Sequence, residues 1–90
     1  MKENQKIDEL IAAGQLEEAV ELLGKAIEAD GSDDELYLKR GKVYWRLGRR
    51  AEATTDYATA AELNPASPAV RALENARDIE AFYNKDLYNP

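Results

Sequence analysis

A period of 34 residues constrains this chain more than any other feature. Shifting the sequence by 34 places Gly14 on Gly48, Glu18 on Glu52, Ala19 on Ala53, Ala26 on Ala60 and Glu28 on Glu62. Leu10 then falls on Tyr44 and Leu23 on Tyr57, so bulky apolar positions also meet. Each copy reads as two amphipathic helices joined at a glycine, because apolar residues recur at three- and four-residue spacing on both sides of it. One such helix pair cannot bury its apolar face alone. Stacked pairs are the packing solution the period allows.

Taken in order, the spacing predicts a first helix over residues 2–13, with Ile7, Leu10 and Ile11 on one face. Gly14 ends it, since glycine enters the left-handed region without strain. A second helix over 16–29 carries Ala19, Val20, Leu22, Leu23, Ala26 and Ile27. The run Asp30-Gly31-Ser32-Asp33-Asp34-Glu35 is a turn, and Ser32 with Glu35 fits a capping box for the next helix. A calcium loop does not fit, because an EF-hand needs its glycine at the sixth position and Gly31 is second in the run. The central pair is expected over 33–47 and 50–63. Pro65 stops it and pushes Asn64 out of the helical region. Ser67 then caps a last helix, with Pro68 at its first position, running to about residue 85. Val70, Leu73, Ala76 and Ile79 recur along it, as do Ala72, Ile79 and Tyr83. The tail over 86–90 is too apolar for a plain linker and is expected to fold back onto the body.

The central copy holds Tyr37, Arg40-Gly41, Tyr44, Ala53, Tyr57, Ala60 and Pro65 at fixed distances. At these residues the chain resembles the tetratricopeptide repeat, whose signature is W-x2-L-G-x2-Y…A-x3-F…P. Tyr37 stands at the Trp position, and Gly41, Tyr44, Ala53, Tyr57 and Pro65 follow in register, with Ala60 as the later small residue. Arg40 departs from the pattern, where an apolar residue is usual, and is expected to weaken helix packing at that point. In the first copy Glu3 and Ile7 occupy the positions of Tyr37 and Gly41, which marks a degenerate, terminal copy. The signature positions are thus Gly14, Ala19, Tyr37, Gly41, Tyr44, Ala53, Tyr57, Ala60 and Pro65. The resemblance implies an all-α, right-handed α-α superhelix in a single domain. Repeat 1 would span about 2–30, repeat 2 about 33–65, and a solvating helix about 68–85.

Composition narrows the chemistry. With no cysteine and no histidine, the chain lacks disulfides, thiolate metal sites and the commonest general base. Its two serines both sit at expected helix caps, and no glycine-rich phosphate loop exists. No catalytic residue, cofactor or metal site is expected, and the chain is not expected to be an enzyme. No run approaches the length of a membrane span, and a cytoplasmic location is expected. The net charge of −6 argues against nucleic acid as a partner. That charge is unevenly spread: residues 36–50 carry six bases and no acid.

On the central helix, Leu38 and Trp45 form a second apolar stripe, with Lys42 between them and Arg46 beside it. The resemblance implies that the first helix of each repeat lines a concave groove, at positions 38, 42, 45 and 46 here. By the same offset the last helix offers Ala72, Ala76 and Ile79, and the first offers Asn4, Asp8 and Ile11. The candidate peptide-binding residues are Leu38, Lys42, Trp45, Arg46, Ile79 and Tyr83. Trp45 fits either the groove or the core under the last helix. The family's two-carboxylate clamp would need other residues at Asn4, Asp8, Lys39, Ala69 and Leu73, so a different peptide mode is expected. The expected function is a protein-interaction scaffold. Its ligand would be a protein or peptide segment, acidic beside an apolar anchor, and self-association as a homodimer is the alternative.

Overall fold

The computed structural model describes residues 2–83, with side chains over residues 4–79. It contains five helices: α1 Lys2–Ala12, α2 Leu16–Ala29, α3 Asp34–Arg46, α4 Arg50–Leu63 and α5 Ala69–Tyr83. No strand occurs among the described residues. Each helix packs on the next along the chain, most extensively α3 on α4. The result is a helical-repeat superhelix of 50 × 28 × 18 Å: two helix pairs, with α5 laid on the second.

The period recurs in the backbone. Gly14 and Gly48 have φ of 79° and 81°, the left-handed values that a side chain would resist. Around them the same pair of hydrogen bonds closes both helices. The Gln15 N–H donates to the Leu10 carbonyl at 2.9 Å, and the Arg49 N–H donates to that of Tyr44 at 2.9 Å. The Gly14 and Gly48 N–H groups donate to Ile11 and Trp45 at 3.1 and 3.0 Å, completing two Schellman motifs. Asp30 and Asn64, also 34 apart, leave the helical region in matching conformations, φ −149° and −146°. Pro65 enforces this at Asn64, as the sequence predicts.

Ser32 is not the cap of α3. Its hydroxyl donates to Asp30 Oδ1 at 2.6 Å and its N–H to the same oxygen at 3.1 Å, so it is held in an Asx turn. Those bonds hold the Asp30 carboxyl below its usual pKa. The cap is Asp33, whose carboxylate accepts the Glu35 N–H at 3.0 Å. Ser67, 34 residues on, does cap α5: its hydroxyl accepts the Ala69 N–H at 3.0 Å.

Small residues set the helix spacing. Ala19, Ala53 and Ala60 are fully buried, the first two at equivalent places in the two pairs. A Cβ at Gly41 would stand 2.7 Å from Tyr57 Cε1 and 3.3 Å from the Ala53 carbonyl oxygen, so only glycine lets α3 meet α4 this closely. One core cluster joins Ile7, Leu23, Leu36 and Val43 across α1 to α3. A second joins Ala53, Tyr57 and Ala76 across α4 and α5.

Candidate functional site

Arg40 does not weaken the interface between α3 and α4; it is tied into it. Its Nε and Nη2 donate to the two carboxylate oxygens of Asp56 on α4, both at 2.8 Å. The guanidinium also lies over the rings of Tyr37 and Tyr44, 5.8 and 5.7 Å from their centroids. Its bond to Asp56 raises the Arg40 pKa above its ordinary value, against the opposing effect of burial. Burial, with the charge of Asp56 beside it, raises the Tyr57 phenol in turn. Tyr37 and Tyr44 are accordingly half-buried brackets for a cation rather than fully buried fillers. The sequence held the signal, since Asp56 sits beside signature residue Tyr57 on a helix face otherwise rich in small residues. A lone acid there asks for a base across the interface.

Of the six bases in 36–50, most have structural partners. Lys39 bonds Asp8 at 2.8 Å, linking α3 to α1. Arg49 pairs with Glu52 and covers Tyr44 at 5.1 Å. Arg50 covers the Trp45 ring at 5.2 Å. Lys42 and Arg46 are exposed, with no ion pair among the described residues.

The open space beside Lys42 forms two adjoining depressions. One, of about 290 Å³, is lined by Asp34, Glu35, Leu38, Lys39, Lys42, Asn64 and Pro68. The other, of about 570 Å³, runs from Lys42 and Pro68 along α5 past Arg71 and Ala72 to Asn75. Lys42 and Pro68 belong to both, so together they make a groove between α3 and α5. Leu38 is a half-buried apolar wall of it and Lys42 an exposed cation at its centre.

The other candidates fall differently. Trp45 is half-buried and packs against the Ala53–Tyr57–Ala76 cluster, and it lines neither depression. Arg46 and Ile79 are exposed beyond them. Ala76, offered to the groove by its offset, is buried core, and Ile11 packs against the first cluster. Tyr83 ends α5, and its side chain lies outside the described residues, as does the tail over 86–90. At the clamp positions Ala69 is fully buried, Leu73 packs on the second cluster and Asp8 is taken by Lys39. Sequence reading missed the Asn64–Pro68 floor of the groove. The Asn64 amide donates to Asp34 Oδ2 at 3.3 Å, and this fixes the floor against the start of α3.

Among the described residues no group of acidic side chains is placed to hold a metal. Nor is any described helix long and apolar enough to cross a membrane.

This architecture defines a helical-repeat protein: glycine-joined helix pairs stacked at a 34-residue period, with an open groove between first helices. The tetratricopeptide repeat describes two family models that match it, one over residues 8–48 and one over residues 34–67. The chain belongs to the tetratricopeptide repeat family. Among solved structures it is similar to a Bacteroides fragilis protein determined by solution NMR, with 40% identity and a TM-score of 0.84. That likeness covers 99% of this chain and 91% of the other. No curated protein sequence matches the chain. Repeats of this family generally mediate protein–protein interaction and act as non-catalytic scaffolds.

Proposed function

We propose that the chain is a peptide-binding module whose groove between α3 and α5 takes an extended segment with an aliphatic or aromatic anchor beside acidic residues. The observation that carries this reading is the pairing of Leu38 and Lys42 in one open groove, the second of them without an ion partner among the described residues. An apolar anchor against Leu38 would gain burial, and an acid beside it would gain a charge-assisted bond to Lys42. Arg46 lies exposed one turn beyond Lys42 on α3, while the acidic residues of the chain, Asp34 and Glu35 at one end of the groove among them, disfavour nucleic acid and unmatched anions. Self-association is less well supported. Among the described residues the large exposed apolar side chains are Leu63 and Ile79, and the exposed positions of α1 are polar apart from Ala12.

The test is a titration of labelled peptides carrying a Leu or Phe anchor flanked either by Asp and Glu or by Lys and Arg. The acidic set should bind more tightly and shift the amide resonances of Leu38, Lys42 and Ala72. Lys42→Glu should weaken that binding and reduce its salt dependence. Equal binding of both sets, or shifts confined to other helices, would overturn the proposal.

A further inference from the structure

We infer that the segment held in the groove is bipolar: a basic side chain over Asp34 and Glu35, an apolar side chain against Leu38 and an acidic one at Lys42, on every second residue of an extended strand. The inference rests on the groove reading above and deepens it, because it restricts the ligand's acid to one side of the anchor and puts a cation on the other.

The wall that α3 gives the smaller depression is a graded series of charge. Asp34, Leu38 and Lys42 follow one another at four-residue steps along one helix face, with Glu35 beside Asp34, and all four line the same space of about 290 Å³. Each step rises about 6 Å along the helix. Alternate side chains on one face of an extended strand lie about 7 Å apart. A strand laid along α3 therefore meets the acidic, apolar and basic positions with three alternate residues. A strand running either way satisfies this order.

The acidic end of the groove keeps its charge. The cap of α3 is Asp33, which leaves the Asp34 and Glu35 carboxylates out of that role. Asp34 Oδ2 accepts from the neutral Asn64 amide at 3.3 Å. Glu35 is exposed, and Lys39, the base one turn on that helical spacing would pair with it, is bonded to Asp8 at 2.8 Å instead. Neither carboxylate has an ion pair among the described residues, and nor does Lys42. Along α5 the larger depression adds Arg71 and Glu74, three residues apart on one helix and of opposite sign, so that wall favours neither charge. The polarity of the groove is set by α3. A ligand acid placed toward Asp34 and Glu35 would face two like charges, and a ligand base there would face two opposite ones.

The test uses end-capped peptides of equal length, titrated into the isotope-enriched full-length protein. They carry Lys-Ser-Leu-Ser-Glu, its reverse, Glu-Ser-Leu-Ser-Glu, Lys-Ser-Leu-Ser-Lys, and Lys-Glu-Ser-Ser-Leu, which keeps both charges but breaks the spacing. At least one of the two mixed orders should bind severalfold more tightly than the other three and shift the amide resonances of Glu35, Leu38 and Lys42. Glu35→Lys should move the preference toward Glu-Ser-Leu-Ser-Glu, and Lys42→Glu should move it toward Lys-Ser-Leu-Ser-Lys; circular dichroism checks that both variants keep their helices. If Glu-Ser-Leu-Ser-Glu binds the unaltered protein as tightly as the mixed peptides, or if Glu35→Lys leaves the ranking unchanged, the inference fails while the groove reading stands. Equal binding of the peptide with broken spacing would overturn it in the same way. If no peptide shifts Leu38 and Lys42, both fail.

Discussion

Arg40→Leu restores the residue type usual at that place in the family, yet it should destabilise this protein. The substitution strands the Asp56 carboxylate, whose side chain is 4% exposed and whose two oxygens both accept from Arg40. Removing one partner of a buried ion pair leaves an uncompensated charge and costs about 3–5 kcal/mol. Asp56→Ala should cost less, about 1–3 kcal/mol, since it leaves a charged donor that can be partly rehydrated. The Arg40 side chain is 22% exposed and keeps its place between Tyr37 and Tyr44. With both changes made, no charge is left unpaired, so the double variant should be far more stable than the sum of single losses predicts. The coupling should be about 2 kcal/mol or more. Urea denaturation followed by circular dichroism measures all four corners of the cycle by linear extrapolation. For a domain whose whole stability is about 5–15 kcal/mol, these differences are large. A loss below about 1 kcal/mol for Arg40→Leu, or single losses that simply add, would refute the claim that this pair orients α3 on α4.

Gly41→Leu should lower stability by about 1–3 kcal/mol through overpacking, because even its Cβ would stand 2.7 Å from the Tyr57 ring; an unchanged melting temperature would show that the helices do not meet there. A chain ending at residue 67 removes Ala72, Leu73 and Ala76 from the second core cluster and bares Ala53 and Tyr57. It should aggregate or lose its cooperative transition, and a sharp monomeric melt would remove α5 from the role of solvating helix. Trp45→Ala should cost about 1–3 kcal/mol in stability, below the range for a wholly buried tryptophan, since the ring packs on Ala53, Tyr57 and Ala76 but is half-exposed. Thermal unfolding checks this, and a neutral result would move the ring off the core.

The repeat was legible because its signals are local and redundant. Gly14 and Gly48 need the left-handed region for a backbone reason, and Ala19 and Ala53 need small side chains for a packing reason. Both demands recur 34 residues apart. The cap of α3 was harder to read, because Ser32 and Asp33 are both good caps and adjacent. What separates them is the Asx turn made by Asp30, and the matching turn at Asn64, where the Ala66 N–H donates to Asn64 Oδ1 at 3.0 Å. Applying the period to Ser67 would have selected Asp33.

Charge was the least legible level. Six bases without an acid over residues 36–50 look like one positive face, but helical spacing sends them to different places. Lys39 goes to α1, Arg40 into the α3–α4 interface, Arg49 onto Glu52 and Tyr44, and Arg50 over Trp45. Apart from Glu52, three residues after Arg49, those partners lie on another element or across the Gly48 turn, where local spacing does not pair them. Only Lys42 and Arg46 project from α3 without such ties among the described residues, four positions apart and therefore on one face. The band that looked like a binding surface is mostly scaffold. The proposed binding site rests on Lys42 beside Leu38, which is why Lys42→Glu tests the groove more cleanly than Trp45→Ala, whose effect on any ligand would be mixed with its effect on the core.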